Sequence, residues 1–392
     1  MSVLQKKKRL SPSQVLLLGF VVIILIGTSL LLLPVASATG QSVGFLDALF
    51  MATSATCVTG LAVVDIGSTF SRFGQVVILT LIQIGGLGFM TFAVLIFLIL
   101  GRRISFQQRL YIQESLNQQV VEGVVRLALS VFLIAFILEA IGTALLFIRW
   151  YPDLGWDALF VALFHAVAAF NNAGMSLWSD NLMRFVGDPV VNLTITTLVI
   201  LGGLGFTVLM DLWQHRTWKK LSLHSKLVLV TSFGLLAVGT VLIFLIEWTN
   251  PYTHRTLTWP ERLWGAYFQS VSRTSGFNTL DIGEMLPTSQ FLLILLMFIG
   301  ASPGSTGGGI KTTTIALLYM TVYSVVRGRK EVSVMRRRIS QDQIFRALTL
   351  VMLGMTMVFV VSMGLSFTER DRAESFLEVL FEATSAFSIN GL

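Results

Sequence analysis

Seven apolar stretches, each about as long as a bilayer's hydrocarbon core is thick, limit what this chain can become. They fall at residues 14–35, 75–100, 124–148, 192–213, 225–248, 290–322 and 344–368. About 20 apolar residues cross a core of about 30 Å as a helix. In lipid, only helices and closed barrels satisfy every backbone polar group. The chain therefore reads as an all-α polytopic membrane protein. Its charged fraction of 12% is about half that of a soluble domain. The N-terminal "KKKRL" looks like the start of a secretory signal. The apolar run behind it is too long, however, and no small-residue cleavage motif closes it, so it reads as the first transmembrane helix.

Lys and Arg concentrate at the N-terminus, Lys6 to Arg9, and in three linkers. The first holds Arg102, Arg103, Arg109 and Arg126, the second Arg216, Lys219, Lys220 and Lys226, and the third runs from Arg327 to Arg346. Cytoplasmic loops carry such an excess, so the N-terminus and these linkers are expected to face the cytoplasm. The net charge of +7 follows from this topology and does not require nucleic acid. One cysteine, Cys57, excludes an intrachain disulfide, and four histidines without a Cys/His cluster argue against a structural metal. No set of His, Asp, Ser or Cys converges as catalysis would need, so an enzyme is not expected.

Internal repetition comes next. "LFMATSATCVTGL", "LFHAVAAFNNAGM", "AYFQSVSRTSGFN" and "LFEATSAFSINGL" align without gaps on Gly60, Gly174, Gly276 and Gly391. A second phrase, "GGLGF", occurs at Gly85–Phe89 and Gly202–Phe206, each expected inside the long helix that follows a repeat glycine. Four repeats result: 1–102, 103–216, 217–330 and 331–392. Each reads as helix, short half-helix, glycine turn, helix. The half-helices, such as Phe45–Ala55 and Asp157–Ala169, are too short to span, so the loops 45–61, 157–175, 261–277 and 375–392 must enter the membrane and return. Non-helical backbone at that depth is tolerated where protein buries it or a watery cavity meets it. Four parallel turns of this kind most economically surround one pore with pseudo-fourfold symmetry. Because the repeats run in the same direction, a transporter built from inverted repeats is the weaker reading.

The candidate filter residues are Thr56, Cys57, Val58, Thr59 and Gly60; Asn171, Asn172, Ala173 and Gly174; Arg273, Thr274, Ser275 and Gly276; and Ser388, Ile389, Asn390 and Gly391. None is a carboxylate. Pores for divalent cations usually carry acidic rings, whereas potassium is selected by backbone carbonyls. Carbonyls that all point inward need φ values that glycine adopts freely. Each half-helix also aims its partly negative C-terminus at the turn.

These phrases resemble the Trk/Ktr/HKT superfamily of potassium transporters over essentially the whole chain. "SATCVTGLAVVD", "FNNAGMSLW", "RTSGFNTLD" and "SAFSINGL" look like its four filter sequences, and "IQIGGLGFMTFAV" and "GSTGGGIKTTT" like its second and sixth transmembrane helices. The match is closest to the Ktr-type membrane subunit, since the chain opens directly on the first repeat. The resemblance implies K⁺ uptake at the plasma membrane of a bacterium, with K⁺ as cargo and no cofactor. It also implies a homodimer and a cytoplasmic ring of nucleotide-binding regulatory subunits. Glycine at the first filter position goes with K⁺ in this family, and serine with Na⁺. The alternative is a Na⁺-permeable or Na⁺-coupled transporter of the same fold.

"GSTGGGIKT" superficially resembles a phosphate loop, but Ile310 separates Gly309 from Lys311 and no strand precedes it. Pro303, Gly304, Gly307, Gly308 and Gly309 cannot continue a regular helix. The resemblance implies an intramembrane gating loop over 301–312, with Lys311 as a positive barrier or an anchor. Glu139, within the third span, is a functional candidate by default, and a structural partnership with a buried donor is the preferred reading. Arg273 would repel K⁺ from within the pathway, so its side chain is expected to brace the loop. Cys57 reads as a filler whose carbonyl matters. The basic "RGRKEVSVMRRR" suits anionic lipid head groups or a regulatory docking surface equally. One residue follows Gly391, so the last helix of repeat four is expected to be missing from a longer product, by roughly 50 residues.

Overall fold

The computed structural model describes residues 11–88, 91, 92, 94, 110–113, 123–329, 331–334, 337–369 and 375–392. The basic residues 6–9, 102, 103, 109, 330 and 336 lie outside this set. Among the described residues, four helices are long and apolar enough to cross a membrane unaided: Ser13–Leu31, Val124–Leu154, Leu223–Glu247 and Gln341–Thr368. Each is the opening helix of one expected repeat. They are designated α1 (Pro12–Leu31), α4 (Val124–Leu154), α8 (Leu223–Glu247) and α12 (Gln341–Thr368). Their starts are locally encoded. Ser11 accepts from the Gln14 amide while the Gln14 side chain caps the Ser11 N–H, and Ser222 and Ser340 accept from the amides of Ser225 and Gln343. A serine placed there satisfies an amide that no helical carbonyl reaches. Large apolar side chains such as Leu17, Leu133, Leu245 and Phe367 remain exposed on these helices, as a face turned to lipid requires.

Four short helices follow the long ones: α2 (Phe45–Cys57), α5 (Asp157–Phe170), α9 (Trp259–Ser272) and α13 (Phe376–Ser388). At 13 or 14 residues each, they are too short to span. Each packs on the long helix before it. They are buried on most sides, with Phe164, Phe170 and Phe268 shut off from the surface.

The remaining helices are broken at the expected gating loop over 301–312, and also at two places where hydropathy suggests continuous spans. Helix α3 (Arg72–Leu87) stops at Gly88, whose φ is 80°. Helices α6 (Pro189–Leu204) and α7 (Phe206–His215) are bent by 96° about Gly205, whose φ is 92°. The stretch 290–322 is split into α10 (Pro287–Phe298) and α11 (Thr312–Val326). The "GGLGF" phrase thus interrupts a helix, contrary to expectation, because its last glycine takes a conformation that a helix cannot hold. A two-stranded ribbon, β1 (Ser333–Val334) with β2 (Arg337–Arg338), lies in the third linker.

Helices α3, α6 and α10 each pack on the half-helix of the next repeat, namely α5, α9 and α13. Long helix, half-helix and neighbour's helix therefore alternate around a centre. One apolar core, including Met51, Trp150, Phe170 and Phe277, joins repeats one and two with part of three. A second, including Ile243, Met297 and Phe381, joins repeats three and four.

Candidate functional site

The half-helices end in nearly the same way three times. Val58 (φ 60°), Asn172 (φ 58°) and Ile389 (φ 56°) adopt the left-handed conformation. One residue later, the amides of Thr59, Ala173 and Asn390 donate to the carbonyls of Ser54, Ala168 and Ser385 at 2.8, 2.8 and 2.9 Å. This closure terminates a helix and turns the chain sharply. Glycine usually occupies such a position, and a β-branched residue is strained there. Val58 and Ile389 persist because the packed surroundings impose the turn. The third loop differs: Arg273 stays right-handed at the cap, and Ser275 N donates to Ser272 O at 2.8 Å.

Beyond these turns the four repeat glycines meet. A Cβ on Gly60 would strike the Ala173 carbonyl oxygen and lie 3.1 Å from Gly391 Cα. One on Gly174 would overlap the backbone of Gly276, and one on Gly276 would fall 2.8 Å from the carbonyl oxygens of Asn390 and Gly391. One on Gly391 would fall 2.5 Å from Gly60 Cα. The contacts run from loop one to two, two to three, three to four, and four back to one, closing a ring of backbone. Only residues without a side chain fit its centre. Among the described residues, several buried polar atoms of the loops have no protein partner: Thr56 Oγ1, Ser275 Oγ and both amide atoms of Asn390. Four helix C-termini, each carrying a partial negative charge, point at this ring.

On one side of the ring lies a cavity of about 470 Å³ lined by Gly60, Gly174 and Gly391 together with Asp65, Trp178 and Asn181. On the other lies the non-helical segment 299–311. Its Thr306 Oγ1 lies 2.7 Å from the Asn172 carboxamide and 3.1 Å from Phe170 O, and the Thr306 amide donates to Gly202 O at 3.2 Å. Gly308 lies so close to Ser388 O and Ile389 that a Cβ would collide with both. Gly304 O accepts from Phe206 N at 3.0 Å across the α6–α7 break, with Pro303 O beside Gly205. Gly309 takes a φ of 71°. The segment therefore lies directly beneath loops two and four. Lys311 folds back to donate from Nζ to Gly307 O at 2.7 Å, the geometry of an anchor.

The paired glycines of "GGLGF" have a shared role. Gly85 lies against Thr56 O, and Gly202 against Phe170 O. Thr56 and Phe170 each stand four residues before a ring glycine, so the helix that follows each of these glycines packs on the preceding turn at the same point.

Arg273 is buried and turns its guanidinium away from the ring. Nη1 donates to Ile299 O at 2.5 Å and Gly300 O at 3.2 Å. Its side chain ties loop three to the end of α10. Glu139 is buried, accepting from Gln83 Nε2 at 2.9 Å and Asn171 Nδ2 at 3.3 Å. Asn171 Nδ2 also reaches Gln83 Oε1 at 2.8 Å. The acid is thus a structural partner of Gln83 and Asn171 behind the second loop. The Asn172 carboxamide bridges Thr306 Oγ1 at 2.7 Å and Thr274 Oγ1 at 3.2 Å, so its side chain links two loops and the segment beneath. Cys57 is half-buried and unbridged. Gln83, Asn181 and Thr306 were not singled out from the sequence. Their partners are 56 to 136 residues away, a separation that no local pattern reveals.

Residues 11–392 match the TrkH family, described as cation transport protein. The Ktr system potassium uptake protein B of Bacillus subtilis is 48% identical over 99% of this chain and 88% of its own length. The potassium/sodium uptake protein NtpJ of Enterococcus hirae is 39% identical over 100% of this chain and 88% of its own. The solved structure of the potassium transporter TrkH from Vibrio parahaemolyticus superposes with a TM-score of 0.70 at 18% identity, covering 99% of this chain and 85% of that one.

Proposed function

The chain belongs to the TrkH family of cation transport proteins, and on that premise we propose that it is the ion-translocating subunit of a potassium uptake system. The observation that carries this reading is the closed ring of four glycine backbones at four half-helix C-termini. A cation enters the cavity beside Asp65 and exchanges water for carbonyl oxygens of the turns around Gly60, Gly174, Gly276 and Gly391. The helix ends stabilise its charge, and no side-chain carboxylate competes. K⁺ suits this chemistry because carbonyl dipoles can replace its hydration shell. The segment 299–311 lies across the route below the ring and must move for passage, with Thr306 and Lys311 holding it shut. The Bacillus subtilis relative carries potassium in its name, and Gly60 stands where Na⁺-permeable members of the superfamily carry serine.

In this reading the four repeats enclose one pore in a bacterial plasma membrane, with the basic linkers cytoplasmic. The subunit pairs with a second copy and docks a nucleotide-binding regulatory ring. The test is uptake of radioactive Rb⁺ into proteoliposomes with competing K⁺ or Na⁺, with Gly60→Ser alongside. Serine at φ 88° is strained, and its Cβ meets the Ala173 carbonyl. Strong competition by K⁺, weak competition by Na⁺ and loss of that preference in the variant support the reading. Equal competition by Na⁺ in the unaltered protein would favour the sodium-permeable alternative.

A further inference from the structure

We propose that Asn181, in the loop after the second filter glycine, is a positioning residue that sets the direction of the Gly276 carbonyl and with it the ion preference of the ring. The proposal rests on the filter reading above. Gly60, Gly174 and Gly391 have φ of 88°, 63° and 82°, whereas Gly276 is not left-handed, and its loop also lacks the left-handed cap residue of the others. This quarter of the ring lacks the left-handed turn that shapes the other three, and it receives a brace from outside the loop.

Asn181 supplies it. Its Nδ2 donates to Gly276 O at 3.0 Å, its Oδ1 accepts from Asn278 N at 3.4 Å, and the next amide, Leu182 N, donates to Asn278 O at 3.1 Å. Three bonds thus staple residues 276–278 of loop three to a segment of repeat two. Asn181 itself sits at φ 53°, a conformation asparagine tolerates better than most residues, and a built support holds it there. Ser176 Oγ donates to Asn181 O at 3.3 Å and lies 3.1 Å from His165 Nε2, while Asn181 N donates to Trp178 O at 3.1 Å. The Trp178 ring stacks on buried His165 with centroids 4.4 Å apart. Asn181 also lines the cavity beside the ring.

A carbonyl that already accepts an N–H presents one fixed lone pair and a weakened field. Selectivity in carbonyl filters depends on the number and field strength of the coordinating dipoles. Without the Asn181 donor, the Gly276 carbonyl is free to turn, and the ring becomes less discriminating.

The experiment is Rb⁺ uptake by the reconstituted protein with competing K⁺ and Na⁺, comparing Asn181→Ala, Asn181→Asp and Gly60→Ser. Asn181→Asp preserves shape and the acceptor for Asn278 N–H but removes the donor to Gly276 O and adds a charge, whereas Asn181→Ala removes the donor without a charge, so a shift counts for the proposal only when Asn181→Ala shows it too. Both Asn181 variants are expected to lower the K⁺ over Na⁺ preference roughly fivefold, the factor that one hydrogen bond of ordinary strength represents. A role confined to stability would lower uptake of both ions together and leave the ratio alone, and that result overturns the proposal. An unchanged ratio in both Asn181 variants beside a shifted ratio in Gly60→Ser sinks the proposal and leaves the filter standing. If Gly60→Ser leaves the ratio unchanged as well, the filter reading falls with it.

Discussion

Replacing Gly202 by alanine is expected to disable transport, while the same change at Gly203 is not. The added Cβ at Gly202 would lie inside contact distance of Phe170 O and 2.9 Å from both Asn172 Nδ2 and Thr306 Oγ1. A Cβ at Gly203 would find its nearest neighbours at 3.8 and 3.9 Å, Asn172 Oδ1 and Ala301 Cβ. Relief at position 202 requires α6 to move off the second half-helix turn by a distance on the order of 1 Å, toward ordinary contact separation. Such overpacking costs about 1–3 kcal/mol. Alanine's better helix propensity returns up to about 1 kcal/mol at either site. Gly203→Ala should therefore be neutral or slightly stabilising, and Gly202→Ala destabilising by an amount comparable to the overpacking cost. The displaced groups include the Phe170 carbonyl and the Asn172 side chain, so the effect on Rb⁺ uptake should exceed the effect on melting in detergent. If Gly202→Ala melts and transports like Gly203→Ala, the idea that paired glycines seat the filter turn is wrong.

Two further substitutions probe the supports of the ring. Arg273→Gln removes the donors to Ile299 O and Gly300 O, each bond to a charged group being worth about 1.5–3 kcal/mol before the relief of burying a cation is subtracted. The loop beneath the filter should loosen, seen as a faster resting leak of Rb⁺ from loaded liposomes, and an unchanged leak would argue against the brace. Glu139→Gln places an amide donor where Gln83 and Asn171 already donate. Melting temperature and uptake should both fall, by the about 1–3 kcal/mol of an unmatched buried polar group, and full retention of both would refute a structural role.

Much of this architecture was legible in the sequence. The half-helices were expected at Phe45–Ala55 and Asp157–Ala169 and occur at Phe45–Cys57 and Asp157–Phe170, because hydrophobic periodicity and the following glycine mark both ends. The sideways turn of Arg273 was also legible, since a cation on a cation pathway is repulsive, although its carbonyl partners 26 and 27 residues away were not. The break at "GGLGF" was misread. In a membrane helix, glycine serves close packing as readily as interruption, and the phrase does both: Gly85 and Gly202 pack, while Gly88 and Gly205 break. Gln83, Thr306 and Asn181 stayed hidden because their roles arise from partners in other repeats, a property of the closed ring and not of any local pattern.

In the proposed mechanism the cation is held by backbone at the meeting point of the four glycines, which anomalous X-ray scattering from crystals of the protein grown in Rb⁺ would reveal. Anomalous density is expected on the axis enclosed by Gly60, Gly174, Gly276 and Gly391, lost when Na⁺ replaces Rb⁺. Density coordinated instead by side chains away from that ring, with none on the axis, would contradict it.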